Sequence, residues 1–229
     1  MRIAIYTLTR DRIEYTQQCF ASLYENAGAK FDHYILDNGS VDGTRQWLNF
    51  QADAGKFKWY SPQSENLGIS VASNMLLRRI LQEDYDVILK FDNDCFVRTP
   101  NILQHVAEVV TAAGENWIFS PRVEGINKQP RRVRNVEIAG HPIGVVGIVG
   151  GLFHVVPASA YRLYVEQGGY PEHLPKARGQ DDQLCAWWRR RGENCGYIED
   201  VIVEHYETTD GQARRYPEYF ERKWMEEKE

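Results

Sequence analysis

Tyr34-Ile35-Leu36-Asp37-Asn38-Gly39-Ser40-Val41-Asp42-Gly43-Thr44 sets a short apolar run against a polar, glycine-punctuated turn. Such a run, stopping in Asp-Asn-Gly-Ser, reads as a strand that delivers a turn to one edge of a sheet. The same arrangement recurs on both sides. Residues 3–6 run into Thr7-Leu8-Thr9-Arg10, residues 87–91 run into Asp92-Asn93-Asp94, and residues 57–60 offer a fourth strand. Between them Ile13, Thr16, Phe20 and Leu23 fall at three- and four-residue spacing, as do Ile69, Ala72, Leu76 and Ile80, so each segment can lay one helical face on the sheet. Short strands alternating with amphipathic helices predict an α/β domain with a doubly wound, mostly parallel sheet flanked by helices.

Past Pro100 the pattern predicts a helix to about Ala113, a strand over 117–120, and then a loop-rich stretch crowded with Gly, Arg and Pro. From Gly151 it predicts a strand over 152–156, a helix after Pro157, a helix over 181–191 and a strand over 197–203, with a polar, aromatic tail from Glu207. One domain over 1–206 is expected, with 1–99 as a nucleotide-binding half and 100–206 as an acceptor-binding half, followed by a surface-packed tail over 207–229. The chain's 229 residues, 43% apolar, suffice for one substantial core.

The charge balance, 27 basic against 32 acidic residues for a net −5, argues against a surface built throughout to hold nucleic acid or an anionic membrane. Cys19, Cys95, Cys185 and Cys195 form no C-x-x-C pair, and the first residues lack the apolar core of a secretory signal. Reduced thiols and a cytoplasmic location are the expectation. The longest apolar stretch, 143–156, spans 14 residues, contains four glycines and a histidine, and is too short for a membrane helix.

In an open α/β sheet, ligands sit beyond the carboxyl ends of the strands, where the polar turns of this chain collect. None of those turns carries G-x-G-x-x-G or G-x-x-x-x-G-K-[ST], which disfavours a nicotinamide oxidoreductase and a P-loop enzyme. Asp92 and Asp94 supply two hard carboxylates in a tight turn, suited to a divalent cation that bridges a diphosphate. By spacing alone the pair is equally a plain turn. Its position after an apolar strand favours the ligand reading.

Asp37-Asn38-Gly39-Ser40-Val41-Asp42-Gly43-Thr44 resembles the D-[DN]-G-S-x-D-G-T signature of the family 2 glycosyltransferases. Asn66-Leu67-Gly68 with Ala72 and Asn74 is similar to that family's N-x-G-x-x-x-A-x-N segment, and Asp92-Asn93-Asp94 to its D-x-D motif. Gly150-Gly151, the run from Asp181-Asp182 through Leu184 to Arg191-Gly192, and Val203-Glu204-His205 resemble its G-G, [ED]-D-x-x-L…R-x-G and v-x-H elements, in order over about residues 1–205. Gln180 stands where the family often has Glu before the aspartate, and no Q-x-x-R-W follows, so the likeness does not extend to processive polysaccharide synthases.

The resemblance implies a GT-A fold and a metal-dependent transferase, expected to be inverting, that moves one sugar from a nucleotide-diphosphate sugar, a UDP-sugar first among them, to an acceptor hydroxyl. It implies Asp37 on the nucleobase, Asp92 on ribose or metal, and Asp94 on the metal, with His205 as a third ligand that favours Mn²⁺ over Mg²⁺. Thr7, Thr9, Arg12, Asn66, Gly68, Asn74, Asn93, Gly150 and Gly151 complete the expected nucleotide-sugar site, with the glycine pair either admitting the donor sugar to the backbone or forming a bulge. Asp181 is the expected base for the acceptor hydroxyl, with Asp182 beside it as the other candidate, and a helix N-cap is the plainer role for Asp181.

Lys128, Arg131, Arg132 and Arg134 form a basic run that reads either as a solvated loop or as a patch for a phosphate-bearing acceptor, DNA with a hydroxylated base included. Two other function classes stand beside the transferase. A nucleotidyltransferase would carry a glycine-rich G-x-G-T-R-like loop after the first strand, which Thr7-Leu8-Thr9-Arg10 lacks. A non-catalytic sugar-nucleotide or nucleic-acid binding module would have no use for a base at Asp181.

Overall fold

The computed structural model describes residues 1–126, 129–173 and 179–226. In chain order the first half comprises β1 (Ile3–Thr9), α1 (Ile13–Asn26), β2 (Asp32–Asp37), α2 (Thr44–Asp53), β3 (Trp59–Pro62), α3 (Gly68–Ile80), β4 (Val87–Phe91) and β5 (Cys95–Val97). The second comprises α4 (Ile102–Ala113), β6 (Trp117–Glu124), β7 (Arg134–Ile138), β8 (His141–Val146), β9 (Phe153–Pro157), α5 (Ala158–Glu166), α6 (Gln180–Arg190), β10 (Asn194–His205), α7 (Thr209–Arg215) and α8 (Pro217–Glu226).

All strands join one sheet in the order β3-β2-β1-β4-β9-β6-β10-β8-β7, with β5 paired to β10. Strands β3, β2, β1 and β4 are parallel, as the alternation of strand and helix requires. The remainder is mixed: β9 runs antiparallel between β4 and β6, β10 is parallel to β6, and β8 is antiparallel to β10. The parallel doubly wound portion is therefore confined to the first half. Helices cover both faces there, so β4 is buried at every position and its sequence is a near-continuous apolar run with no alternation. Thr16, Phe20 and Leu23 of α1 and Ala72, Leu76 and Ile80 of α3 are buried as their spacing predicts, whereas Ile13 and Ile69 at the helix starts are half-buried.

Strands β1 and β2 run further than their apolar cores, pairing Thr9 with Asp37, so the polar residues at their ends are held by the ladder itself. The stretch read as loop-rich also departs from expectation. Strands β7 and β8 form a hairpin pairing Ile138 with His141 around Ala139 and Gly140, both at positive φ (52° and 83°). That is the backbone a two-residue hairpin turn demands, here achieved with alanine in place of the usual asparagine or aspartate. Residues after Glu207 fold into α7, capped by Thr208 Oγ1 accepting Gly211 N–H at 3.3 Å, and α8, opened by Pro217. The four cysteines are buried and unpaired, and no helix among the described residues is long and apolar enough to cross a membrane.

Candidate functional site

A cleft of ≈ 230 Å³ opens at the carboxyl ends of β1 and β4, lined among others by Thr9, Arg12, Asn38, Asn66, Lys90, Asp92, Asn93, Asp94 and His205. Two registers assemble it. Pairing of β5 with β10 sets His205 opposite Cys95, which brings His205 Nε2 to 3.5 Å from Asp94 Oδ2. Pairing of β4 with β9 sets Phe91 opposite Phe153, their rings edge-on at 5.7 Å, and carries the Gly150-Gly151 turn to Asp92.

Asp92 and Asp94 live in opposed electrostatic settings. Asp92 is 32% exposed and takes an ion pair from Lys90 Nζ at 2.8 Å. Burial pushes its pKa up to about 6, and the charges of Asp94 and Asp181 add to that, against the opposing pull of Lys90. Asp94 accepts from Arg12 Nη1 at 2.9 Å and Gln212 Nε2 at 3.3 Å. Burial works against its charge, but Arg12, His205 and Gln212 outweigh it and hold the carboxyl well below its ordinary range. Burial likewise works against a charged His205, yet the Asp94 hydrogen bond and charge hold the imidazole above its usual value.

Arg12 reaches this position through strain. Asp11 and Arg12 are consecutive non-glycine residues at positive φ (51° and 61°), a conformation costing roughly 1–3 kcal/mol per residue. Cross-ties hold it: Asp11 N–H donates to Ser40 Oγ at 2.8 Å, Asp11 Oδ1 accepts Val41 N–H at 2.7 Å, and Ile13 N–H donates to Asp42 Oδ2 at 3.2 Å. The Arg12 guanidinium also donates to Asn93 Oδ1 at 2.9 Å and lies over the Tyr219 ring.

Beyond Asp92 lies the glycine turn, clamped from every side. Tyr197 Oη accepts Gly150 N–H at 2.8 Å, Asp181 Oδ2 accepts Gly151 N–H at 2.9 Å, Lys90 Nζ donates to Gly151 O at 2.7 Å, and His154 Nε2 meets Val149 O at 3.0 Å. A Cβ on Gly151 would stand 2.1 Å from Asp181 Oδ1, so the close approach requires glycine. Asp181 and Asp182 occupy the first turn of α6, where the helix dipole favours carboxylates. Asp181 is half-buried against the turn and Asp182 is exposed.

Other predicted residues lie elsewhere. Thr7 is fully buried, its Oγ1 3.0 Å from His33 Nε2. Asp37 is enclosed by Thr9 Oγ1 at 3.2 Å, Ser40 Oγ and Arg45 Nε at 3.0 Å, and nearby Asp42 Oδ1 accepts Thr44 N–H at 2.8 Å where α2 begins. Gly68 opens α3 at φ +77°, its N–H donating to Asn66 Oδ1 at 3.0 Å. Asn74 spans Tyr170, donating to its carbonyl and accepting its N–H at 2.9 Å each, and so fixes the segment after α5. Of the basic run, Lys128 lies outside the described residues, Arg132 grips Glu199 through two bonds of 2.6 and 3.0 Å, Arg134 reaches Asn194 Oδ1 at 3.2 Å, and Arg131 is exposed. None of the three described arginines lines the cleft.

Two groups of site residues were missed in the sequence. Lys90 had a signal: a lysine inside an otherwise apolar central strand is rarely there without a partner. Gln212, Tyr219, Phe220 and Lys223, which wall the cleft from α7 and α8, had none, because the contact joins opposite ends of the chain.

A family profile described as glycosyl transferase family 2 matches residues 4–155. No curated protein sequence matches the chain. Among solved structures, mannosyltransferase PcManGT from Pyrobaculum calidifontis, in complex with GDP-Man and Mn²⁺, is similar with a TM-score of 0.68 at 13% identity, over 93% of this chain and 59% of that one. TarS 1-349 of S. aureus in complex with UDP gives 0.66 at 14% identity, over 89% and 60%. GalNAc-T7 with UDP, GalNAc and Mn²⁺ gives 0.70 at 10% identity, over 91% and 44%. At these identities the likeness establishes the shared GT-A fold. The chain spans less than two thirds of each of these three.

Proposed function

The chain belongs to glycosyl transferase family 2, and from that membership we propose that it transfers one sugar from a nucleoside-diphosphate sugar, a UDP-sugar first among candidates, to an acceptor hydroxyl with inversion at the anomeric carbon. One observation carries the reading: a single cleft gathers the Asp94–His205 and Asp92–Lys90 pairs, and Lys90 reaches the carbonyl of Gly151, whose N–H is held by Asp181 outside the cleft lining.

The donor set fits a divalent cation. Asp94 Oδ2 and His205 Nε2, 3.5 Å apart, are spaced as neighbouring ligands of one ion, and an imidazole beside carboxylates favours Mn²⁺ over Mg²⁺. Asp94 and His205 would hold it, with Asp92 joining on release from Lys90. A cation bound there would supply charge stabilisation to the departing diphosphate. Lys90 adds to it: burial opposes its charge, but Asp92 and Asp181 keep the ammonium protonated at the floor of the cleft.

On the acceptor side, Gly151 N–H fixes the orientation of the Asp181 carboxylate. As the acceptor oxygen bonds to the anomeric carbon and the bond to the diphosphate oxygen breaks, Asp181 takes the hydroxyl proton. Its half-buried position against the turn supports Asp181 over the exposed Asp182. The nucleotide side would be read by Thr9, Asn38 and Asn66 on the cleft wall, with Ile69 beneath. Asp37 would reach a base only by exchanging one of its present partners.

Incubation with a panel of nucleotide sugars and Mn²⁺, scored for slow donor hydrolysis, tests the reading without a known acceptor. The expected result is hydrolysis of one donor class that stops on chelation and in Asp94→Asn. Neither hydrolysis nor binding of any nucleoside-diphosphate sugar at millimolar concentration would overturn it.

A further inference from the structure

Outside the cleft lining, α4 presents His105 and Glu108 at i, i+3 spacing on one face, toward His141 at the start of β8. Their potential ligand atoms all lie within 4.8 Å of one another, and they form the one such cluster among the described residues. His141 Nε2 is 3.5 Å from Glu108 Oε2, and the His105 and His141 rings meet edge-on at 5.3 Å. We propose that His105, Glu108 and His141 bind a zinc ion that straps α4 to the β7–β8 hairpin.

Two features separate this cluster from a chance gathering of polar side chains. The first is orientation. His141 Nδ1 lies 2.9 Å from Asp200 Oδ2 and 3.0 Å from Oδ1, so the carboxylate holds the Nδ1 proton and turns the Nε2 lone pair toward Glu108. A carboxylate behind a ligating imidazole, fixing its tautomer and raising its basicity, is the usual outer support of a metal-bound histidine. Asp200 is placed there by the irregularity in β10 between Ile198 and Ile202, which also sends Glu199 to Arg132. The second is an unsatisfied nitrogen: His105 Nδ1 is shielded from solvent and has no hydrogen-bond partner.

The chemistry selects the ion. Two imidazoles and one carboxylate suit zinc, with ligand bonds of about 2.0–2.2 Å and one position left for water. The 3.5 Å separation of His141 Nε2 and Glu108 Oε2 matches two ligands of a tetrahedral ion, and turning the exposed Glu108 carboxyl and the His105 ring closes the wider gaps. None of the three residues lines the cleft, so the site is distinct from the proposed donor-metal site.

Zinc titration of tag-free, chelator-stripped full-length protein, with Co²⁺ absorption as a second readout, tests this. Asp94→Asn removes competition from the cleft. In that background the expected result is one zinc per chain at submicromolar Kd, with Co²⁺ bands of a low-coordinate nitrogen–oxygen site. His105→Ala and His141→Ala should weaken binding by more than about 100-fold, and Asp200→Asn, which removes no ligand, by about 10- to 100-fold. Glu108→Gln alters an exposed side chain and keeps a folded control if the histidine variants unfold; it should also weaken zinc and abolish the Co²⁺ bands. Absence of stoichiometric zinc in the Asp94→Asn protein, or unchanged affinity in folded Glu108→Gln and His141→Ala, would overturn the proposal.

Discussion

Strands β2 and β4 each run into an Asp-Asn pair, Asp37-Asn38 and Asp92-Asn93, at the same, carboxyl-terminal side of the sheet. The asparagines behave alike. Asn38 accepts Leu67 N–H at 2.8 Å and donates to Asn66, while Asn93 accepts from Arg12 and donates to Thr16, so each ties its turn to a neighbouring loop. The aspartates do not. Asp37 has a fully buried side chain whose partners are two hydroxyls and the Arg45 guanidinium, whereas Asp92 and Asp94 remain partly open to a cleft and face Lys90, Arg12 and His205. Identical dipeptides thus become a fastening at one strand end and a charged, adjustable site at the other. What decides is whether neighbouring donors close over the carboxylate. A further sign is the divergence of the two carboxyls in the turn after β4, one pushed up to about 6 and the other far down, an opposition that marks acid–base and metal sites more often than structural pairs.

The comparison breaks most visibly at Asp94. Asp94→Asn keeps an acceptor for Arg12 but removes the charge, and should cut donor hydrolysis and transfer by about 10³-fold, several kcal/mol of charge stabilisation, and also lower the melting temperature, because the buried Arg12 guanidinium loses its charged partner. Asp37→Ala should cost stability alone. Loss of a fully buried carboxylate leaves Arg45, Ser40 and Thr9 without their shared acceptor and should cost about 3–5 kcal/mol of stability, while UDP affinity in the folded fraction changes little. A variant of unchanged stability that no longer binds UDP would instead place Asp37 on the nucleobase. Asp181→Asn should lower kcat by about 10²-fold and leave UDP affinity intact, because the proposed base acts on the acceptor hydroxyl and not on the donor. If Asp182→Asn has that effect and Asp181→Asn does not, the base is the exposed neighbour.

A further test concerns pH on the β2 side. Burial pushes the His33 imidazole down to about 3, so the folded protein holds it neutral while the unfolded chain protonates it near 6.5. Stability from this group is therefore complete above pH 6.5 and is lost as pH falls from there toward 3. His33→Gln should flatten the acid limb of a melting-temperature profile over that window; parallel profiles for the two proteins would contradict it.

The strand ends were legible because apolar runs of a parallel sheet stop where the ladder meets solvent, and the polar residues at those stops announce themselves. Gln212, Tyr219 and Arg222 were not, since their partners Asp94, Arg12 and Asp11 lie near the other end of the chain, and no local pattern encodes a helix that folds back across a sheet. The β7–β8 hairpin was hidden by its Arg, Gly and Pro content and by a turn that puts Ala139 at positive φ. Asn74 shows the converse: its motif position was plain, but its amide is engaged with the backbone of Tyr170.

Electron paramagnetic resonance of Mn²⁺ in the presence and absence of UDP separates the two strand ends. One Mn²⁺ should bind per chain in a UDP-dependent manner, be lost in Asp94→Asn and weakened in His205→Ala, and be retained in His141→Ala and in folded Asp37→Asn. UDP-dependent Mn²⁺ binding that survives Asp94→Asn, or that disappears with Asp37→Asn alone, would contradict that separation.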